Sequence, residues 1–368
     1  MKLFMLNYYM TRPESVQEKI SDLKVDAFLV SSKENVYYLS GFRGLGVDRE
    51  AWILVTKEKL FLLTSPLNPS VTSALKGFEM VIVSGKADFY KKMNTILKKC
   101  KVDKLGFEAL DLRVGEYENF KNNLPATFIS TIDVVERLRA IKDKEERDSI
   151  NKACQLTDQC LSQIAKLFKI GVSEKEIAYK IELWLRNHDV DLAFPPIVAF
   201  DKNTAIPHYD SATGDGKIHN GSVILVDFGA RFKHYCSDMT RVFVVGSPTT
   251  EFVNYYNLVQ KTQEKTVAFL KKEKSAASVD NFCRETIRRE LKQPIPHSVG
   301  HGVGLDIHEF PKISPNSKDI LEPGNVITIE PGIYLEGRCG IRIEDTLCIN
   351  SSLEPEILTK FDKKLRIL

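Results

Sequence analysis

Two stretches of this sequence each read as a β-hairpin that sets one carboxylate against another, and few folds can hold such a pair twice. In SVILVDFGARFKHYCSDMTRVFVV an apolar run, Val223–Val226, ends in Asp227, and a second run, Met239–Val245, begins just after Asp238. A turn centred between Phe232 and Lys233 places Asp227 opposite Asp238, where facing Cβ atoms lie about 4.5–5.5 Å apart. In VITIEPGIYLEGRCGIRIEDTLCI a turn around Gly337 places Glu330 opposite Glu344. Anions that close, beside apolar sequence, repel each other and resist desolvation. Taken singly, each pair has a plainer account as solvated carboxylates paired with Lys233 and Arg241, or with Arg342. Taken together, four such carboxylates in one domain favour divalent cations, which oxygen ligands suit.

Between the hairpins lies HSVGHGVGLDIHE, which holds His297, His301 and His308, three of the seven histidines. Gly300, Gly302 and Gly304 surround the middle one, and glycine lets a backbone approach a site closely. Imidazole is both a metal ligand and a proton carrier near neutral pH. The spacing is not HExxH, which excludes a zincin helix. His208, in NTAIPHYD, reads by itself as a loop histidine.

The rest of the chain bounds the setting. Its 368 residues suggest two domains, and 43% hydrophobic with 27% charged residues excludes a disordered or fibrous chain. A formal charge of +3 gives no electrostatic reason to expect nucleic acid or an anionic membrane as partner. Seven scattered cysteines without a C-x-x-C pair argue against a disulfide framework or zinc knuckle and for a reducing compartment. The opening MKLFMLNYYMTRP is broken by Asn7 and Arg12, so no signal peptide is expected. No apolar run approaches ~18 residues, so no spanning helix is expected either, and the location expected is cytoplasmic.

Residues 1–140 alternate short aliphatic strands (Ala27–Val30, Ala51–Thr56, Leu60–Thr64, Met80–Ser84) with amphipathic helices (Pro13–Leu23, Asp88–Cys100, Glu116–Leu124), which predicts an α/β domain with a mixed sheet. The charged segment Arg137–Lys144 marks a boundary to a second domain, 141–368. There a long helix, Glu145–Phe168, is stopped at Gly171, and Ser173 with Glu176 forms a capping box for a helix over Glu174–Asn187. Helices near Thr250–Lys272 and Val279–Leu291 follow, and strands dominate the remainder, so this half reads as α+β.

The order Asp227, Asp238, His301, Glu330, Glu344 resembles the five-ligand set of the pita-bread dinuclear metallopeptidases, among them methionine aminopeptidase, prolidase and aminopeptidase P. The strings VDFGA, SDMTR, GHGVGLDIHE, TIEPGIY and GIRIEDT carry the likeness, from about Lys142 to the C-terminus. NVYYLSGF, Asn35–Phe42, resembles the smaller domain of the prolidase and aminopeptidase P branch. The resemblance implies an α+β chain with a C-terminal pita-bread (creatinase/aminopeptidase) domain and a creatinase N-terminal-like domain. It implies that Asp227 chelates one of two divalent metals, that Asp238 and Glu344 bridge both, and that His301 and Glu330 complete the second site. His208, His297, His308 and Arg342 match positions that contact substrate or support the metals. In such a site water activated between two cations about 3.5–4 Å apart attacks the carbonyl before proline. Glu330 would carry its proton to the leaving nitrogen and His308 would stabilise the oxyanion, while Arg342 would orient a bridging carboxylate or contact substrate. Manganese is the metal first expected, with cobalt, zinc and iron also suited to such ligands. The family further implies a homodimer and an N-terminal domain that restricts the substrate to short proline-containing peptides.

Prolidases often carry an arginine where this chain has Lys312, in HEFPKIS. A cation there could grip a dipeptide's free carboxylate, as a point charge, or be an ordinary surface lysine; the reading leans to a dipeptidase, with an Xaa-Pro aminopeptidase as the alternative. Where the family often shows a Ser-Gly turn, this chain has Phe200, Asp201 and Lys202, a bulk expected to approach the substrate and alter its N-terminal residue preference. A non-catalytic binding module or a metal-free creatinase-like hydrolase would share the fold, but both predict lost ligand positions, and all five are filled here.

Overall fold

The computed structural model describes residues 11–44, 49–67, 75, 77–292 and 294–368; the opening stretch Met1–Met10 lies outside the described residues. The chain divides into two compact units, Met1–Arg139 and Ala140–Leu368.

The first unit runs α1 (Arg12–Asp22), β1 (Ala27–Val30), α2 (Lys33–Ser40), β2 (Ala51–Thr56), β3 (Leu60–Thr64), β4 (Phe78–Ile82), α3 (Lys86–Lys99), β5 (Lys104–Glu108), α4 (Val114–Asn123), β6 (Thr127–Thr131) and α5 (Val134–Arg139). Its sheet, ordered β4-β3-β2-β1-β5-β6, is mixed: β1 pairs antiparallel with β2 and parallel with β5. β1 is buried at all four positions, which is why it reads as an unbroken apolar run. Three of the four strands expected here occupy the residues read from sequence. The fourth is Phe78–Ile82 and not Met80–Ser84, because Gly85 opens α3 and leaves Val83 and Ser84 as the connection. The charged segment hides α5, a helix of six residues whose apolar members are only Val134, Val135 and Leu138.

The second unit begins with α6 (Lys144–Ile164), capped by Asp143, and α7 (Glu174–Arg186), whose Ser173–Glu176 capping box forms. Then come β7 (Asp191–Leu192), β8 (Ile197–Phe200), β9 (Val223–Phe228), β10 (Ala230–Phe232), β11 (Tyr235–Cys236), β12 (Met239–Val244), α8 (Thr250–Phe269) and α9 (Ala276–Leu291). The remainder is strand: β13 (Gly300–Gly302), β14 (Glu309–Ile313), β15 (Val326–Ile329), β16 (Gly332–Leu335), β17 (Cys339–Arg342), β18 (Asp345–Ile349), β19 (Pro355–Ile357) and β20 (Arg366–Ile367). Two sheets, β20-β12-β9-β8 and β14-β13-β15-β18-β19, carry the core. α6 and α7 bury Leu161, Ile177 and Ile181 on one side, and Val198, Val226 and Phe243 belong to that same core region. α8 and α9 pack Val259, Val279 and Ile287 with Leu225, Ile327 and Leu347 on the other. No helix among the described residues is long and apolar enough to cross a membrane.

Both expected ribbons form, with one correction. β9 and β12 pair so that Asp227 faces Thr240, not Asp238. The turn is the dipeptide Lys233–His234, with φ of 46° and 73°, one residue beyond the expected centre. Two positive φ values are what a tight hairpin loop of matching twist requires, yet Lys-His carries none of the usual Asn-Gly signal. The one-residue shift of the centre moves each partner by two, so Asp227 and Asp238 stay on one face as diagonal neighbours. In the second ribbon Ile329 faces Asp345 and Gly332 faces Arg342, the register that sets Glu330 against Glu344.

Candidate functional site

All nine residues singled out from the sequence line one cavity of about 550 Å³ in the second unit: His208, Asp227, Asp238, His297, His301, His308, Glu330, Arg342 and Glu344. The ribbons converge because their ladders break there. The Glu330 amide leaves its hairpin to donate to Val299 O at 2.9 Å, and the Glu344 amide donates to Thr240 O on β12 at 3.2 Å. His301 enters on β13, squeezed between β14 and β15. A Cβ on Gly300 would stand 2.1 Å from Thr328 O and one on Gly302 2.1 Å from Phe310 O, so only glycine lets this strand carry the imidazole in.

The acidic groups are buried, with Asp227 7%, Asp238 5% and Glu344 2% exposed. Ligand atoms of Asp238, His301 and Glu344 lie within 4.8 Å of one another. His301 Nε2 is 3.4 Å from Glu330 Oε1 and 3.6 Å from Asp238 Oδ2. Asp227 is turned partly aside, its Oδ2 accepting from Arg342 Nη2 at 2.5 Å. Arg241 pairs with Asp345 instead of the cavity carboxylates, and Lys233 lies over the Phe232 ring, so the plainer pairings for Asp227 and Asp238 are not made.

Burial, followed by the charges of Glu344 and Asp227, holds the Asp238 carboxyl well above its ordinary range. Burial and Glu330 do the same to Glu344, and burial pushes Glu330 up to about 8. Arg342 is the cation set against four carboxylates. Asp227 Oδ1, Asp238 Oδ1 and Glu344 Oε1 are buried without a hydrogen-bond partner, a costly state for an anion. Hard oxygen donors, uncompensated charge and orphaned atoms fit divalent cations, and the imidazoles fit too. Burial lowers His301 to about 3 and His297 to about 4, so both rings are neutral near pH 7. His301 Nδ1 donates to Gly302 O at 3.1 Å, leaving the Nε2 lone pair toward the carboxylates. His297 is fully engaged: Nδ1 donates to Ser298 O at 2.7 Å and Nε2 accepts from Tyr334 Oη at 2.8 Å.

Sequence reading missed two supports. Thr240 donates to Glu344 Oε2 at 2.6 Å and accepts from Arg342 Nε at 3.1 Å; the correct turn would have revealed it opposite Asp227. Tyr334 accepts from Arg342 Nη1 at 2.8 Å, and strand alternation places it on the face of Glu330. The apolar wall, including Phe194, Ile197, Pro207 and Ile307, gave no signal. The expected intrusion of Phe200, Asp201 and Lys202 does not occur: none lines the cavity. Asp201 adopts φ 52°, the conformation glycine favours, and turns its carboxylate to the Val223 amide at 2.9 Å, while Phe200 is in the core. Lys312 does line the cavity, facing His301 across the β13–β14 ladder.

Residues 148–351 match the metallopeptidase family M24, and residues 12–141 match the creatinase/prolidase N-terminal domain. The chain is 34% identical to an Xaa-Pro dipeptidase of Pyrococcus furiosus, over 96% of this chain and 99% of that one. Its fold is similar to that of an Xaa-Pro dipeptidase from Bacillus anthracis, with TM-score 0.91 and 31% identity over 97% and 99% of the two chains. It is also similar to an X-Pro aminopeptidase from Thermotoga maritima, with TM-score 0.85 and 29% identity over 96% and 99%. The second unit thus has the pita-bread fold and the first the creatinase N-terminal fold. The chain belongs to metallopeptidase family M24 and is a hydrolase of that family.

Proposed function

We propose that this chain is an Xaa-Pro dipeptidase, hydrolysing the bond before proline in short peptides. The observation that carries the proposal is the convergence of Asp238, His301 and Glu344 beside Glu330, with orphaned carboxylate oxygens, in a cavity of about 550 Å³. Asp227, Asp238, His301, Glu330 and Glu344 would hold two divalent cations. When bound, the cations supply Lewis acidity and make water a nucleophile near neutral pH. The chain's own groups do the rest. Glu330 accepts the proton of the attacking water and returns it to the leaving imino nitrogen. His308, its ring centroid 4.3 Å from that of His301, faces the developing oxyanion. Arg342 fixes Asp227 directly and Glu344 through Thr240. His208 lines the cavity where substrate would lie, while His297, held by Ser298 and Tyr334, supports the wall beside Glu330.

Lys312 supports a dipeptidase, since its ammonium can meet the proline carboxylate that a dipeptide leaves free. The second reading, an Xaa-Pro aminopeptidase, draws on the similarity to the T. maritima structure. The same proposal includes manganese as the native metal, a cytoplasmic homodimer, and an N-terminal domain that limits substrate length; all seven cysteines are free thiols, which suits a reducing compartment.

The test is dialysis against chelator, restoration with Mn²⁺, Co²⁺ or Zn²⁺, and assay of Xaa-Pro dipeptides beside Xaa-Pro-Yaa tripeptides. Activity should vanish and return, dipeptides should be preferred, and Lys312→Ala should raise KM for dipeptides about tenfold, the worth of one charge-assisted contact. Preference for tripeptides would select the aminopeptidase reading, and no cleavage with any metal would sink both.

A further inference from the structure

Glu174 opens α7, is fully buried, and does not line the cavity. Its carboxylate is nevertheless saturated. Oε1 accepts from the Phe200 amide at 2.6 Å and from Asn203 Nδ2 at 2.9 Å. Oε2 accepts from Tyr209 Oη at 2.8 Å and from the Gly216 amide at 3.0 Å. A carboxylate offers about four lone-pair sites, and here every one goes to a single segment, 200–216. The backbone wraps the group closely: a Cβ on Gly214 or on Gly216 would stand 2.8 Å from Oε2. That segment brings Pro207, His208 and Tyr209 to the cavity wall. Asp227, Asp238, Glu330 and Glu344 come from β9, the residue before β12 and the second ribbon, and Glu174 makes its own hydrogen bonds to the 200–216 segment instead.

We infer that Glu174 is a positioning residue for the proposed reaction: from behind the wall it fixes the 200–216 segment, and so sets where His208 meets the substrate without touching substrate itself. The inference rests on the cavity being the site of peptide cleavage. A carboxylate and not an amide does this because four donors converge on it, and a carboxamide would present N–H to two of them. Asn203 reinforces the arrangement by donating also to Tyr209 Oη at 3.0 Å.

The experiment uses full-length protein, manganese-loaded for kinetics and metal-free for calorimetry and NMR, with Glu174→Gln and the milder Asn203→Ala beside the unaltered chain. Steady-state kinetics on one Xaa-Pro dipeptide, Mn²⁺ titration calorimetry, and the imidazole NMR signals of His208, assigned with His208→Asn, are the readouts. Glu174→Gln should raise KM about tenfold while kcat changes less than about threefold, the pattern of lost binding contacts. Mn²⁺ affinity should not change, and the His208 signals should move. Asn203→Ala should show the same pattern about two- to threefold in KM, and it serves if the glutamine variant fails to fold. Unchanged KM and unmoved His208 signals would reduce Glu174 to a structural role and overturn the inference. A fall in Mn²⁺ affinity together with kcat would also overturn it, by placing its action on the metal centre. If the unaltered chain cleaves no Xaa-Pro peptide, the reading of the reaction fails, and the His208 signals still decide whether Glu174 holds the segment.

Discussion

Both units bury a carboxylate in a polar cluster, and the two clusters are finished differently. In the first unit Glu108, 6% exposed, closes on itself: it accepts from the amides of Ser31 at 2.6 Å and Ser32 at 2.7 Å, from Ser31 Oγ at 3.1 Å and from Asn35 Nδ2 at 2.6 Å. In the second unit Asp227, Asp238 and Glu344 each keep a buried oxygen without a partner. Burial raises Glu108, to about 7, as it raises Asp238 and Glu344. A raised carboxyl therefore does not by itself separate a structural acid from a ligand; what sets Asp227, Asp238 and Glu344 apart from Glu108 is the orphaned oxygen each keeps. Asp345 sharpens the point. One residue from Glu344 and fully buried, it accepts from Arg241 Nη2 at 2.7 Å, Gln263 Nε2 at 2.9 Å and Thr359 Oγ1 at 2.9 Å, and pairs with Lys363. Burial pushes it up, but Arg241 and Lys363 outweigh burial and hold it low.

The contrast makes three predictions. The largest effect belongs to an orphaned acid. Asp238→Asn should cost more than about a hundredfold in kcat, beyond the loss typical of residues that merely support a metal ligand. The metal-free variant should unfold at the same temperature or higher, since one repelling charge is gone; near-normal turnover would break the contrast. Next is the satisfied acid beside it. Asp345→Ala leaves Arg241 buried and unpaired, and should lower stability by about 3–5 kcal/mol, read by denaturant unfolding of the metal-free protein. A loss confined to activity would mean that Asp345 behaves like its neighbour. The smallest effect is a pH dependence. Glu108 titrates near 7 when folded and near 4.5 when unfolded, so its stabilisation is full below pH 4.5 and is lost as pH rises toward 7. The slope in that window should be on the order of 1 kcal/mol per pH unit, and Glu108→Gln should flatten it in unfolding curves of the full chain.

The sequence exposed most of what periodicity and charge can show. β1, β2 and β3 lie where their aliphatic runs are, because such runs fit a sheet covered on both faces. The second ribbon's register was legible because Gly337, at φ 71°, marks its turn. The first was misplaced because Lys233–His234 takes a glycine-like turn without glycine. Asp227, Asp238, Glu330 and Glu344 stood out because anions beside apolar strands are conspicuous, whereas Thr240 and Tyr334 are ordinary strand residues whose value lies in what they touch across the fold. Glu174 was read only as the start of a helix. Its partners lie 26 to 42 residues away, beyond the reach of any local pattern.

The buried Asp345 cluster has a consequence for biogenesis. Arg241 reaches the carbonyl of Phe361, at 2.7 Å from Nη2, so the strand that follows Asp238 is secured by a residue 120 places further along the chain. A nascent polypeptide that has left the ribosome through β12 already displays Asp227 and Asp238 but has neither the opposing ribbon nor this final clasp. The cavity therefore cannot be completed until synthesis has passed Phe361, and a shorter nascent chain holds the first ribbon's acids without the second ribbon's.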